Sequence, residues 1–147
     1  MEQLKDYSFF KEVVEHASLR TGNLYRFFFS SSLAKVVFQV YLEKVGEFDR
    51  LDSTASALLA LSQGNNFLFE KLIIPELPFY SFGHILASLA FCSFCVNKAD
   101  ISATVSSGFI LDAVCRPAWQ KFMMSHNMME NQTGSSEFSL EEALTDN

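Results

Sequence analysis

The sequence predicts an all-α protein, a helical bundle packed around one apolar central helix. Apolar residues recur at intervals of three and four over most of the chain, the period of an amphipathic helix. No segment alternates with period two over a useful length, so strands are not required. Residues 77–97 carry no formal charge, and their uninterrupted part, 85–96, has the length of one fully buried helix.

Taken in order, residues 3–20 set Phe10, Val13, Val14 and Ala17 on one helical face, and Thr21-Gly22-Asn23 is a stop signal. Leu24 to Phe29 reads equally as a short helix or a connector. Ser30-Ser31-Ser32 supplies N-caps for a helix over 32–51, whose stripe is Leu33, Val36, Val37, Val40, Tyr41, Val45 and Phe48. Asp52-Ser53-Thr54 caps a short helix over 54–62, and another over 66–77 closes at Pro75 and Pro78. The apolar helix spans 81–97 and is broken by Asn97-Lys98-Ala99-Asp100. Asp100 or Ser102 caps a further helix through Cys115, and Pro117 opens a short last helix through about Phe122. Residues 126–136 are polar and rich in Gly, Ser and Asn, as expected of a loose linker, and Ser139 to Leu144 form at most one turn.

Composition narrows the function. The 147 residues suffice for one domain with its own core; 49% are hydrophobic and 19% charged, which excludes disorder over most of the length. Phe is in excess, with 16 copies against one Trp and four Tyr. Some of these rings are expected in a groove or interface, a Phe-rich core being the simpler alternative. The net charge is −6 and the basic residues are scattered singly, so nucleic acid is not an expected partner. Three cysteines inside apolar runs and the charged start Met1–Asp6 fit a reducing, cytoplasmic setting; residues 139–147 show no apolar anchor, so no transmembrane anchor is expected.

Catalytic signals are weak. Cys92 and Cys95 have C-x-x-C spacing but no second pair, and they fall late in the apolar helix rather than at an N-terminus that would activate a thiol; they read as small core residues. His16, His84 and His126 share no companion acid at a telling spacing, and no glycine-rich phosphate loop occurs. No enzyme activity, cofactor or metal is expected. Gly83, opening an apolar helix, and Gly46, inside another, suggest close packing or a groove between two helices.

In this order the features resemble the Bcl-2 family of apoptosis regulators. Ser81-Phe82-Gly83-His84-Ile85-Leu86-Ala87 resembles the family's first homology motif, usually Asn-Trp-Gly-Arg before an apolar helix. Ile101 to Ser106 resembles the start of the next central helix, and Arg116-Pro117-Ala118-Trp119-Gln120-Lys121-Phe122 the second motif. Leu42-Glu43-Lys44-Val45-Gly46-Glu47 resembles the third, with Glu in place of Asp, and the N-terminal helix sits where the fourth belongs. The resemblance covers residues 3–125. A helical domain over 1–125 is therefore expected, followed by a polar tail over 126–147. The compact form is similar to homologues encoded by large DNA viruses.

The resemblance implies an inhibitor of apoptosis whose hydrophobic groove sequesters the BH3-motif helices of pro-apoptotic host proteins, a helix-in-groove mode with anchors at i, i+3/i+4, i+7 and i+11. Its groove residues would be Val45, Phe48, Leu58, Phe69, Leu72, Ile73, Leu77, Ser81, Gly83 and His84. Gly83 would admit the ligand backbone. His84 stands where the family has an arginine, so the bidentate charged pairing is lost and weaker or narrower ligand recognition is expected. The Phe27-Phe28-Phe29 cluster and a vacant groove leave a homodimer open. Two other readings remain: a helical virus–host interaction module with a non-apoptotic partner, and a thiol enzyme using Cys92 and Cys95.

Overall fold

The computed structural model of the protein describes residues 2–18 and 31–133. A 3-10 turn, Glu2–Lys5, leads into α1, Tyr7–Ser18. Asp6 starts α1, its carboxylate accepting from the Ser8 amide at 2.9 Å, and the periodic residues Phe10, Val13, Val14 and Ala17 are fully buried. Helix α2 spans Ser32–Asp49; the Ser31 hydroxyl caps it by accepting from the Ala34 amide at 3.1 Å. Ala34, Val37, Tyr41 and Phe48 form its buried stripe.

Helix α3, Asp52–Ser62, starts two residues earlier than expected, and no side chain caps it. Thr54 instead turns its hydroxyl back to the Leu51 carbonyl at 2.8 Å. Gly64 closes the helix with φ of +93°, a conformation that favours glycine, and lets the Asn65 amide reach back to the Ala60 carbonyl at 2.9 Å. Residues 67–76 are not the regular helix expected: after one turn the backbone widens into a π turn, Phe69–Ile73, and tightens into a 3-10 turn, Ile74–Glu76, where Pro75 withholds its amide.

Helix α4, Phe82–Ile101, is the apolar helix, and it touches α1, α2, α3 and the last helix, α5. Ser81 caps it, accepting from the His84 amide at 3.3 Å. By length and composition α4 could cross a membrane, but 61% of its most apolar window is buried inside the bundle. Ser93, fully buried at its middle, donates within reach of the carbonyls of Val14 on α1 and Leu89, both at 3.1 Å.

The expected break at residues 97–100 does not occur. Asn97 donates to the Tyr41 hydroxyl at 3.0 Å and Lys98 reaches Asp49 at 3.0 Å, so polar side chains extend α4 along α2 instead of ending it. The chain turns at 102–106, where the sequence had suggested a helix start. One helix, α5, then runs over Ser107–Thr133 with Pro117 in its interior, replacing the two short helices and part of the linker expected there. No Gly or Pro follows Pro117 until Gly134, and Trp119 holds the middle of α5 to the N-terminal turn by donating to the carbonyls of Leu4 (3.2 Å) and Lys5 (3.3 Å). These contacts override the local breaking tendency of a proline. The Phe27-Phe28-Phe29 cluster, the Thr21-Gly22-Asn23 stop and the segment from Gly134 onward lie outside the described residues. Among those described, every regular element is helical.

Candidate functional site

Three parts of the chain meet around an apolar depression. The end of α2 and the α2–α3 corner supply Phe48, Leu51 and Thr54; the irregular segment supplies Leu72, Ile73, Glu76, Leu77 and Pro78; and α4 supplies Ala87, Ser88 and Phe91. Together they enclose about 350 Å³. A second cavity of about 280 Å³ shares Phe48, Leu51 and Thr54 and continues along α3 and α4 past Asp49, Asp52, Ala55, Leu58, Leu59, Phe94, Lys98 and Ser102. The shared residues join the two into one groove.

The floor is aromatic. Phe48 meets Phe91 edge-on with centroids 5.1 Å apart and lies 5.5 Å from Phe94, while Phe91 and Phe94 stack at 5.9 Å. These three rings account for part of the phenylalanine excess. The rim is apolar yet wet: Leu51 is 45% exposed, Leu72 52% and Leu59 55%. Large apolar side chains exposed beside a concave apolar floor mark a contact surface. The irregular backbone at 69–76 creates that rim, because departing from the 3.6-residue period presents Leu72 outward while Phe69 and Ile73 stay in the core. Two tethers hold this wall. Ser88 on α4 donates to the Pro78 carbonyl, and Lys121 on α5 donates to the carbonyls of Ile74 (3.1 Å) and Pro75. Burial lowers the Lys121 pKa, opposed by the Glu76 carboxylate.

Of the residues expected to form a groove, the structure brings Phe48, Leu72, Ile73 and Leu77 around the first cavity and Leu58 into the second. Phe69 is fully buried beneath the wall and lines neither cavity. Val45 packs against the core one turn before Phe48 and also lines neither. Ser81, Gly83 and His84 sit at the first turn of α4, beyond the first cavity; Gly83 is one helical turn from Ala87 and His84 one turn from Ser88. A Cβ on Gly83 would meet nothing within 4 Å, and one on Gly46 only the Arg50 guanidinium at 3.6 Å, so neither glycine serves to pack two helices of this chain together, as the sequence had suggested. His84 turns to its own cap, its Nδ1 3.0 Å from the Ser81 hydroxyl and its ring edge-on to Tyr80.

Sequence reasoning missed Leu51, Thr54, Ala87, Ser88 and Phe91. Leu51 lay at the last position of the helix expected over 32–51, past the stripe residue Phe48, and the α4 residues were hidden in a helix apolar on every side, which gives no signal of which face is open.

No thiol chemistry is built here. Cys92, Cys95 and Cys115 are free and fully buried, and burial pushes the Cys92 thiol up to about 12 and raises the other two as well. A further depression of about 320 Å³ lies against α5, lined by Asn66, Glu70, Phe109, Asp112, Arg116 and Gln120 among others. Its charges are engaged with neighbours: Asp112 accepts from Tyr7 and faces Arg116 at 3.6 Å, and Glu70 accepts from Asn66 at 2.6 Å.

The family profile described as Adenovirus E1B 19K protein / small t-antigen matches residues 1–131. The E1B protein, small T-antigen, of human adenovirus C serotype 2 is 30% identical over 129 residues, covering 87% of this chain and 74% of that protein. Its counterpart from simian adenovirus serotype 7 is 30% identical over 132 residues, covering 89% and 73%, and that from human adenovirus F serotype 41 is 28% identical over 122 residues, covering 82% and 72%. No solved structure matches the chain.

Proposed function

The chain belongs to the adenovirus E1B 19K protein / small t-antigen family, and from that premise we propose that it is a viral inhibitor of apoptosis that captures an amphipathic helix of a pro-death host protein. The family is more specific than the general viral Bcl-2-like resemblance, with which it agrees at the coarse level. The observation that carries the reading is the groove itself: an apolar cavity adjoining a second of mixed lining, floored by Phe48, Phe91 and Phe94 and rimmed by exposed leucines, of a shape and chemistry that suit an amphipathic helix. The apolar anchors of a BH3-type helix would fill the cavities, and Gly83, exposed beyond one end, would admit the ligand backbone. Residence in the host cytoplasm, with mitochondria reached through the captured partners, belongs to the same proposal.

Titration calorimetry of the purified protein against a panel of BH3 peptides tests it. Binding of at least one peptide at micromolar affinity or better, about −8 kcal/mol, and its loss in Leu72→Glu, is the expected outcome. Leu72 is half exposed, so that substitution spares the core. Silence across the panel would redirect the groove to a non-apoptotic partner.

A further inference from the structure

The groove carries a charge pattern that its apolar floor does not require. Its two cavities are lined by one cation, Lys98, and three carboxylates, Asp49, Asp52 and Glu76. Lys98 is committed to Asp49 at 3.0 Å. Among the described residues, neither Asp52 nor Glu76 has a cation in ion-pair contact: Lys121 acts on Glu76 from further away, its ammonium being hydrogen-bonded to the carbonyls of Ile74 and Pro75. Asp52 suits the first turn of α3, where the helix dipole favours an acid, but that local fit leaves its negative charge at the second cavity.

Resting on the reading of this surface as a helix-docking groove, we infer that it selects partner helices carrying lysine or arginine beside their apolar anchors and rejects helices with acids there. The physical reason is desolvation. In the free protein, water screens Asp52 and Glu76, whereas a docked helix displaces that water and strengthens attraction or repulsion at the wall. The chain's net charge of −6 acts in the same direction at longer range. The other available occupants fit badly. Residues 134–147 hold Glu137, Glu141, Glu142 and Asp146 and no basic residue, and a second copy of the chain brings another −6.

The test uses the full chain and two labelled synthetic amphipathic peptides with identical apolar faces, one with Lys and one with Glu at the flanking positions, titrated by fluorescence anisotropy at low and at physiological salt. The Lys peptide is expected to bind on the order of ten-fold tighter, with a difference that shrinks as salt rises. In the double variant Asp52→Asn/Glu76→Gln, checked for retained helicity, the difference should largely close. Equal affinities, or a tighter Glu peptide, overturn the charge selection and leave the groove reading intact. A Lys preference that persists unchanged in the double variant also overturns it, because net charge alone would then be responsible. Failure of both peptides to bind the wild-type chain overturns the groove reading and this inference with it.

Discussion

Cys92 and Cys95 have the spacing of a redox pair and none of its environment. Both side chains are enclosed in α4, and burial, the largest cause of their raised pKa values, keeps the thiols protonated at neutral pH. A thiol-reactive dye should therefore leave the native protein essentially unlabelled over minutes and label all three cysteines in guanidinium; rapid native labelling would contradict their placement. Asp112, half-buried, is held below its ordinary pKa of 3.8, first by the hydrogen bond from Tyr7 and then, against the opposing effect of burial, by Arg116 and Lys11. A depressed carboxyl pKa contributes stability that is present above about 3.9 and is lost as pH falls through the folded value. The carboxylate is 42% exposed, so the contribution is small after solvent screening, less than about 1 kcal/mol. Thermal melts between pH 6 and pH 2 should show an acid limb that is shallower in Asp112→Asn than in the parent, with little difference below pH 2.

At the scale of the element, the two glycines that looked alike in the sequence separate. Gly46 lies inside α2, where an added methyl would make only an ordinary contact with the Arg50 side chain. Gly46→Ala should raise stability by about 0.5–1 kcal/mol, or roughly 2–4 °C in Tm. Gly83 opens α4 with nothing near the position of a Cβ, so Gly83→Ala should leave Tm unchanged or slightly higher. If the partner's backbone rests there, the same substitution weakens binding on the order of ten-fold; unchanged affinity by calorimetry would remove Gly83 from the contact surface. Helices α4 and α5 teach the complementary lesson. Asn97, Lys98 and Pro117 are stop signals when only their neighbours in sequence are considered. Tyr41 and Asp49 on α2 give the first two partners, while the neighbouring Trp119 anchors the stretch of α5 that carries Pro117, and both helices run on.

For the whole molecule, docking a helix in the groove adds the free energy of binding to that of folding. A BH3 peptide at a hundred times its Kd should stabilise the chain by ~2.7 kcal/mol, seen as a rise of roughly 5–10 °C in Tm for a domain of this size. Leu72→Glu should abolish the shift while leaving the melt of the free protein nearly unchanged, since that side chain is half exposed. A shift that survives in the variant would place the ligand elsewhere.

By itself the sequence determined the helical class, the identity of the central helix and the buried stripe of α1; of the α2 stripe it placed Val37, Tyr41 and Phe48, whereas Val36 is exposed and Ala34 is buried in addition. Each of these follows from the periodicity of residues close together in the chain, where burying one face is the dominant free-energy term. Phe48, Leu58, Leu72, Ile73 and Leu77 became groove candidates through the family resemblance, which assigned the groove walls to the third-motif helix and residues 54–77. The tertiary structure alone decided that Phe69 turns inward, that Leu51, Ala87 and Phe91 complete the cavity, and that two carboxylates remain on its walls beside a single committed lysine. The open face of α4 is the part of an all-round apolar helix that α1, α2, α3 and α5 happen not to cover, and coverage is a property of the packed assembly that no local pattern encodes.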